Sequence, residues 1–455
     1  MKGLTVKNIA QACGGHYHGS KEFLLREVSS VSTDSRRIVK DALFIPIRGE
    51  RFDGHTYIGN VMKAGALVTL TDHAEGMPDC PYILVENTVS AMLLIAHFYL
   101  KTLAVPVVGI TGSVGKTSTK EMIASVLSQK YRVLKTAGNF NNNIGLPLTI
   151  FRLTEEDQVA VLEMGINHFG EMTVLAETAE PDIMVITNIG TCHLEFLGNR
   201  DGVFKAKTEC FDYVKQNGSV ILNGDDDKLT AVTDVHGRRP IFYGMSPKCR
   251  VTAESVTPLG LKGSRCTISI DEDPFDVTVP VPGMHQVMNA LAGAAVGAVF
   301  GLTAEEIKAG IESMETIAGR FRITEGSRCT VIDDCYNANP MSMKASLGIL
   351  NEAEGRRAAV LGDMGELGAN EKELHREVGE YAGTLDIETF LLCGELSKEL
   401  QCGIFSKKPK ADVHWFASSD ELKAALPNLI RDGDTVLVKA SHFMQFGKIV
   451  EELLK

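Results

Sequence analysis

Val107 to Lys120 reads VVGITGSVGKTSTK, and this stretch decides how the chain around it is organised. Apolar and small residues from Val107 to Ile110 lead into a turn carrying Gly112 and Gly115. Lys116, Thr117 and a helix-compatible run, Glu121–Leu127, follow. Strand, glycine-rich turn and helix in that order make a phosphate-binding loop. Glycines let backbone N–H groups approach phosphate oxygens, and the helix N-terminus adds a favourable dipole. On this reading Gly112, Ser113, Gly115 and Ser118 surround the phosphates. Lys116 reaches the β- and γ-phosphates, and the Thr117 hydroxyl holds Mg²⁺. The usual pattern has a glycine where this chain has Ile110; its glycines stand at Gly109 and Gly112 instead. A bare GKT also occurs by chance in long chains. The flanking strand and helix favour phosphate binding over an ordinary glycine-rich turn, so the chain is expected to spend a nucleoside triphosphate.

The 455 residues are too many for one hydrophobic core, and three domains of ordinary size are expected. The composition, 44% hydrophobic and 23% charged, is that of a soluble globular protein. A net charge of −12 argues against a protein that coats nucleic acid. An anionic nucleotide must then be held by local loops, Lys, Arg and metal. No apolar run approaches the roughly 20 residues of a spanning helix. The N-terminus, MKGLTVKNIA, lacks a long apolar core and a cleavage site. No membrane insertion and a cytoplasmic location are expected. Ten scattered cysteines without a CxxC pair read as reduced thiols rather than disulfides or zinc ligands.

The predicted fold class is α/β in three domains. Residues 1–103 form a small α/β unit, with strands at Ala42–Ile47, Ala66–Leu70 and Tyr82–Val85 and helices at Val6–Cys13, Thr56–Ala64 and Val89–Leu100. Residues 104–316 form the phosphate-loop domain. Its strands at Val107–Ile110, Val159–Glu163, Ile183–Thr187 and Val220–Asn223 are short and apolar. Together with the intervening helix Thr117–Leu127 they predict a mainly parallel, two-sided sheet. Cys266–Ile270 and Phe275–Val281 alternate and predict an antiparallel edge hairpin, before helices His285–Phe300 and Ala304–Ser313. Residues 317–455 form a Rossmann-like domain, with strands at Thr330–Asp333, Ala358–Leu361, Thr389–Leu392 and Thr435–Val438. The helices expected there are Ser342–Glu352, Lys372–Gly379, Leu396–Gln401, Glu421–Leu426 and Phe443–Leu453. GxGxxG is missing, which argues against a bound dinucleotide.

Chemistry-bearing residues cluster at strand ends. Glu163 closes the apolar strand of VAVLEMG and suits Mg²⁺ beside the loop better than a solvated acid. His193, in ITNIGTCHLEFLG, sits where open α/β sheets bind ligands. His168, in GINHFGEM, contacts substrate or is a plain loop residue. Lys207, in GVFKAKTEC, reads by itself as a surface lysine. Asn289, in VPGMHQVMNALAGAA, is polar within an apolar helix and needs partners, which a nucleobase edge or backbone carbonyls could supply. Arg320 falls at a domain junction, where a planar guanidinium grips ribose or phosphate. Asp334, Tyr336, Asn337 and Asn339 crowd the loop DDCYNANP, either as a site or as Asx turns that shape it. Four asparagines in TAGNFNNNIGLP, including Asn139, Asn141 and Asn142, make a polar turn or a pocket for an extended polar substrate. STDSRR (Ser32–Arg37) offers hydroxyls and an arginine, and GERFDGH (Gly49–His55) reads equally as a tight turn.

Together TGSVGKTSTKEM, GNFNNNIGLPLT, EMGINHFGEM, CHLEFLG, PGMHQVMNALAG and DDCYNANPMSM resemble the Mur ligase family over nearly the whole chain. DDCYNANPMSM is similar to the branch that joins D-alanyl-D-alanine to UDP-N-acetylmuramoyl-tripeptide. The DNPR signature of the branch that adds the third residue is missing. The resemblance implies an ATP- and Mg²⁺-dependent amide ligase of peptidoglycan precursor synthesis, working as a monomer. Its partners would be UDP-MurNAc-tripeptide and D-Ala-D-Ala. It implies Lys116 and Thr117 on the phosphates and Mg²⁺, and Glu163 and His193 as ligands of a second metal. Lys207 would be a carbamylated lysine able to bind metal, and Lys116, Lys207 and His193 would be catalytic. Asn289 would meet adenine and Arg320 the ribose. Asp334, Tyr336 and Asn337 would close on the nucleotide. Ser32, Asp34, Ser35 and Arg36 would meet the UDP end, with Asn139, Asn141, Asn142 and Asn339 on the substrate. Two positions depart from the family pattern. Gln286 replaces an asparagine after the Pro-Gly, and Lys439-Ala440-Ser441-His442 replaces KGSR, so a cation there would require protonated His442. The alternatives are a related Mur-type or folylpolyglutamate-type ligase adding another amino acid, and a non-enzymatic nucleotide-driven switch.

Overall fold

A computed structural model of the chain describes residues 1–49 and 52–455; Glu50 and Arg51, within the GERFDGH segment, lie outside the described residues. The strands form three sheets. The first has five strands in the order His16–His18, Tyr82–Leu84, Val68–Thr71, Leu43–Phe44, Val31–Ser32, parallel except for the first pair. Helix Thr88–Leu103 follows it, capped by Asn87, whose side chain accepts from the N–H groups of Val89 and Ser90.

The central sheet has nine strands. Its parallel part runs Ile241–Gly244, Ser219–Asn223, Ile183–Ile186, Val107–Thr111, Val159–Glu163, Val133–Lys135. Alternate side chains of these strands enter different cores. Val108, Ile110, Val161 and Val185 pack with helices Lys116–Leu127 and Met284–Val299. Val107, Ala160, Leu162, Met184 and Ile186 pack on the opposite face with Ala91, Ile95 and Tyr99 of the first domain's helix. Burial on both faces is why these strands read as unbroken apolar runs. The expected hairpin is present as Ser264–Ile270 and Asp273–Val279, joined to the parallel part by Val251–Pro258, which pairs parallel with Ile241–Gly244 and antiparallel with the hairpin.

The third sheet has six strands in the order Arg322–Glu325, Thr330–Asp333, Thr435–Lys439, Arg357–Gly362, Thr389–Cys393, Asp412–Phe416. Only the first pair is antiparallel. The strands that sequence reading passes over are mostly marginal ones: His16–His18, Val133–Lys135, Ile241–Gly244, Arg322–Glu325 and Asp412–Phe416. Short and half-exposed, they carry little periodic signal. Two expected helices are also interrupted. Thr56–Ala64 divides into a 3₁₀ turn, Gly54–Tyr57, and a helix, Ile58–Lys63. Phe443–Leu453 is a 3₁₀ turn, His442–Met444, and a helix, Gly447–Leu453, because Gln445 takes a left-handed φ of 53° between them.

Helix Lys116–Leu127 is clasped on its far side by Ala304–Glu312. Gly310 there lies so close that a β-carbon on it would stand 2.4 Å from Val126 Cα. Helix propensity alone would make Gly310→Ala stabilising by up to about 1 kcal/mol. The backbone contact outweighs that gain, and the expected result is a net loss of about 1–3 kcal/mol. A lowered urea midpoint measures it; a raised midpoint would remove the packing argument.

Candidate functional site

The loop begins where strand Val107–Thr111 runs out and ends where Gly115, at φ 85°, opens the helix. Its shape is imposed by the residues after the neighbouring strand. Ser113 N–H donates to Asn188 O (3.0 Å), Val114 N–H donates to Asn188 Oδ1 (3.0 Å), and the Thr187 hydroxyl donates to Val114 O (2.7 Å). Gly112 has φ 148°, and a β-carbon there would lie 1.9 Å from Thr187 Oγ1. No other residue fits that place. Lys116 Nζ folds back onto Gly112 O at 2.8 Å, and Ser113 Oγ accepts from Gly190 N–H at 2.8 Å.

This loop forms one wall of a cleft of about 590 Å³, also lined by Asn141, Glu163, His193, Gln286, Asn289, Arg320, Asp334, Tyr336, Asn337 and Asn339. Glu163 is buried. Its Oε1 accepts from Asn141 Nδ2 at 2.9 Å, while Oε2 is buried without a partner among the described residues. Gly165 permits the contact, since Asn141 packs directly against its Cα. A bare buried carboxylate oxygen is costly unless a cation meets it. The Thr117 hydroxyl, at the helix start, is a second oxygen donor of the kind Mg²⁺ takes. The residues therefore fit the ion. Glu163 and His193 do not close into a three-ligand cluster of His, Cys, Asp or Glu among the described residues, so further donors must be a hydroxyl, phosphate or carbamate. His193 takes a left-handed φ of 53°, and its Nδ1 lies 3.0 Å from Glu366 of the third domain, close but not aligned for a hydrogen bond. Glu366 is a site residue that sequence reasoning misses. It pairs with a residue far away in the chain, and nothing local signals it.

Lys207 corrects the surface reading. It is 1% exposed and belongs to the inward face of helix Arg200–Thr208 with Val203 and Ala206. Burial first, then the charge of Lys116, lowers its pKa to about 8. It does not line the cleft but lies behind the loop.

The opposite wall comes from the third domain. The Arg320 guanidinium stacks on the Tyr336 ring, 3.9 Å from its centroid. Burial raises the Tyr336 pKa, Arg320 opposes the shift, and Glu163 adds to it. Asn139 reaches the site only through Tyr336, because it faces the phenol without lining the cleft. Asp334 and Asn339 are largely spent on shaping their own loop. Asp334 Oδ2 accepts from Lys439 Nζ (2.5 Å) and Ser346 Oγ (2.6 Å). Asn339 Oδ1 accepts from Ser342 N–H in a capping box opening helix Pro340–Asn351. Asn142 likewise accepts from Ile144 and Gly145 N–H. Lys439, in the sequence only part of the departure from KGSR, is buried and also bonded to Asn337 O; a lysine closing an apolar strand is a signal of the same kind as Glu163. His442 is exposed and outside the cleft. Asn289 finds its partners in side chains: Thr119 Oγ1 donates to its Oδ1 (2.7 Å), and its Nδ2 donates to Gln286 Oε1 (2.9 Å).

His168 is exposed, against Phe196 and Glu171 and away from the cleft. Ser32, Asp34, Ser35 and Arg36 also stand apart from it. Arg36 holds Asp34 in a two-pronged pair at 2.9 Å, which lowers the Asp34 pKa to about 2.

Three family descriptions match this chain: "Mur ligase family, catalytic domain" over residues 27–105, "Mur ligase middle domain" over 110–297, and "Mur ligase, glutamate ligase domain" over 319–442. The UDP-N-acetylmuramoyl-tripeptide--D-alanyl-D-alanine ligase of Bacillus subtilis is 36% identical, covering 99% of this chain and 98% of its own. The Escherichia coli enzyme of that name is 34% identical, covering 100% and 99%. Among solved structures, MurF from Acinetobacter baumannii gives a TM-score of 0.92 at 29% identity, covering 99% and 98% of the two chains. MurF from Thermotoga maritima in complex with ADP gives 0.83 at 28%, covering 93% and 96%.

The buried amine of Lys207 makes a measurable prediction. Its folded pKa of about 8 lies below its ordinary 10.5, so the folded state resists the charge. Over that interval the unfolded chain binds more protons, and stability attributable to Lys207 rises with pH. In CO₂-free buffer, Lys207→Met should be more stable than the parent at pH 7, and its advantage should shrink as pH climbs from about 8 towards 10.5. Urea unfolding at several pH values reads this directly; a constant difference would contradict it.

Proposed function

This chain belongs to the Mur ligase family, and on that premise we propose that it joins D-alanyl-D-alanine to UDP-N-acetylmuramoyl-tripeptide with ATP and Mg²⁺, in peptidoglycan precursor synthesis. The observation that carries the reading is the convergence, in one cleft, of the phosphate loop, the partnerless Glu163 oxygen and the Arg320–Tyr336 pair.

A carboxylate is a poor acyl donor because oxide does not leave. The peptide carboxylate attacks the γ-phosphorus of ATP, ADP departs, and an acyl phosphate forms. The amine of D-Ala-D-Ala then adds to the acyl carbon, loses a proton, and expels inorganic phosphate. Lys116 and the loop N–H groups hold the β- and γ-phosphates while this charge moves. Thr117 and Glu163 fit Mg²⁺, whose charge, when bound, offsets repulsion between carboxylate and γ-phosphate. With Nδ1 of His193 turned to Glu366, Nε2 is the nitrogen left for a second ion. A lysine at pKa about 8 carries an appreciable neutral fraction near neutral pH, which supports its reaction with CO₂. The neutral amine adds to CO₂ and releases one proton; counted from the ammonium, two protons leave as a buried cation becomes a metal-binding anion. Arg320 serves the ribose, and Asn289 with Gln286 the adenine edge. Asp334 and Asn337 shape the loop that covers the nucleotide. Asn139, Asn141, Asn142 and Asn339 serve the extended substrate, whose UDP end goes to Ser32, Asp34, Ser35 and Arg36. Third-domain residues over the loop exclude water from the acyl phosphate.

No helix of the described residues is long and apolar enough to cross a membrane. Ten free cysteines and nucleotide substrates support a cytoplasmic location, and a cleft completed within one chain supports action as a monomer.

Phosphate release tests the reading. It should require ATP, UDP-MurNAc-tripeptide and D-Ala-D-Ala together; equal release without the dipeptide would point to a switch, and equal use of another amine to a sibling ligase. Lys116→Ala should lower kcat/KM by about 10²- to 10³-fold or more. Lys207→Ala should be inactive and partly restored by short carboxylates such as formate; failure of rescue, with unmodified Lys207 in intact-protein mass spectra under CO₂, would remove the carbamate.

A further inference from the structure

The first domain holds a cluster that the ligase reaction does not use. Asp53 caps the 3₁₀ turn Gly54–Tyr57, and its Oδ1 accepts from both the backbone N–H (2.9 Å) and Nδ1–H (2.6 Å) of His55. That pair of bonds fixes the proton on Nδ1 and leaves the lone pair on Nε2. The His55 side chain is only 5% exposed, and Nε2 is buried without a hydrogen-bond partner among the described residues. It points at Asp72, just past strand Val68–Thr71, with Oδ1 at 3.3 Å. The same Asp72 oxygen is hydrogen-bonded to His73 Nδ1 at 2.7 Å, a contact that an ion between them would replace, and the two imidazole rings are 4.9 Å apart.

A lone pair facing a carboxylate oxygen is repulsive unless a positive centre stands between them. Arg48 pairs with both carboxylates, 3.1 Å from Asp53 and 3.5 Å from Asp72, and His55 Nε2 still faces the Asp72 oxygen directly. One donor atom from each of His55, Asp72 and His73 falls within 4.8 Å of the others. A tetrahedral ion with bonds of about 2.0–2.1 Å holds its donors about 3.3 Å apart, the separation of His55 Nε2 from Asp72. We propose that His55, Asp72 and His73 form a binding site for a transition-metal dication of the Zn²⁺ type. Asp53 supplies the carboxylate behind the histidine that such sites use to orient a ligand. Two imidazoles and one carboxylate select Zn²⁺ or Co²⁺ over Mg²⁺, which demands oxygen. The ion would tie the 3₁₀ turn Gly54–Tyr57 to the end of strand Val68–Thr71, as a structural staple. None of its ligands lines the cleft, so this inference stands apart from the ligase reading.

The test uses the full-length, metal-free protein with Mg²⁺ and ADP in excess to fill the cleft. Zn²⁺ and Co²⁺ are titrated by calorimetry and by visible absorption of the cobalt form. The parent should bind one equivalent that His73→Gln binds at least about tenfold more weakly and Glu163→Gln binds unchanged. Asp53→Asn should weaken it by about 10- to 100-fold. His73 is 44% exposed, so its replacement leaves the core alone. Zn²⁺ should also raise the melting temperature of the parent but not of His73→Gln. Loss of less than tenfold in His73→Gln, or displacement by millimolar Mg²⁺, would overturn the site.

Discussion

The arrangement depends on one close approach, that of the Gly112 backbone to the Thr187 side chain. A phosphate loop works only if its N–H groups are held apart from one another and aimed at a common point, a conformation the free chain would not keep. Here Thr187 and Asn188 supply the restraint from the next strand, through bonds to Ser113 and Val114. Parallel pairing of Val107–Thr111 with Ile183–Ile186 sets the height at which those residues emerge. The binding geometry is thus a property of the sheet, transmitted through three hydrogen bonds. The same logic explains Gly165, which admits Asn141 so that Glu163 is gripped by one oxygen and left bare at the other.

Charge is distributed with equal economy. The chain is acidic overall, yet Lys116, Lys207, Arg320 and Lys439 gather in or behind the cleft. Each is restrained differently. Lys439 is neutralised by Asp334 and holds a loop, and Arg320 rests on an aromatic face. Lys116 is parked on a carbonyl, ready to exchange it for a phosphate oxygen. Lys207 lies within ion-pair distance of no carboxylate among the described residues, and burial shifts it towards the neutral amine.

Strand–turn–helix at Val107–Leu127, the buried central strands and the edge hairpin were legible because each writes its burial into local periodicity. Lys207 reads as a surface lysine, although the pattern that buries it is local. Val203, Ala206, Lys207 and Cys210 share one helical face at i, i+3, i+4 and i+7, and the lysine's charge masked a pattern that was already there. Asn339, which reads as either a site residue or an Asx turn, caps helix Pro340–Asn351, and that lessens its freedom as a ligand. Thr187–Asn188 and Glu366 were not legible. Their importance comes from what folding sets opposite them, and neither residue type nor spacing encodes that. The polar partners of Asn289 belong to the same class, since Thr119 lies 170 residues away.

The two faces of the central sheet are closed by different parts of the chain. Helix Thr88–Leu103 seals Val107, Ala160, Leu162 and Met184, and the Tyr99 hydroxyl donates to Leu153 O across the seam at 2.7 Å. The first domain is therefore a lid welded to the hydrocarbon of the second rather than a bead on a string. Severing the chain near residue 104 would not yield two tidy modules. It would strip an oily plane bare on one fragment and an unshielded helix on the other, and both would clump. Shuffling this N-terminal piece among distant cousins demands that the weld be recut along with the substrate grip.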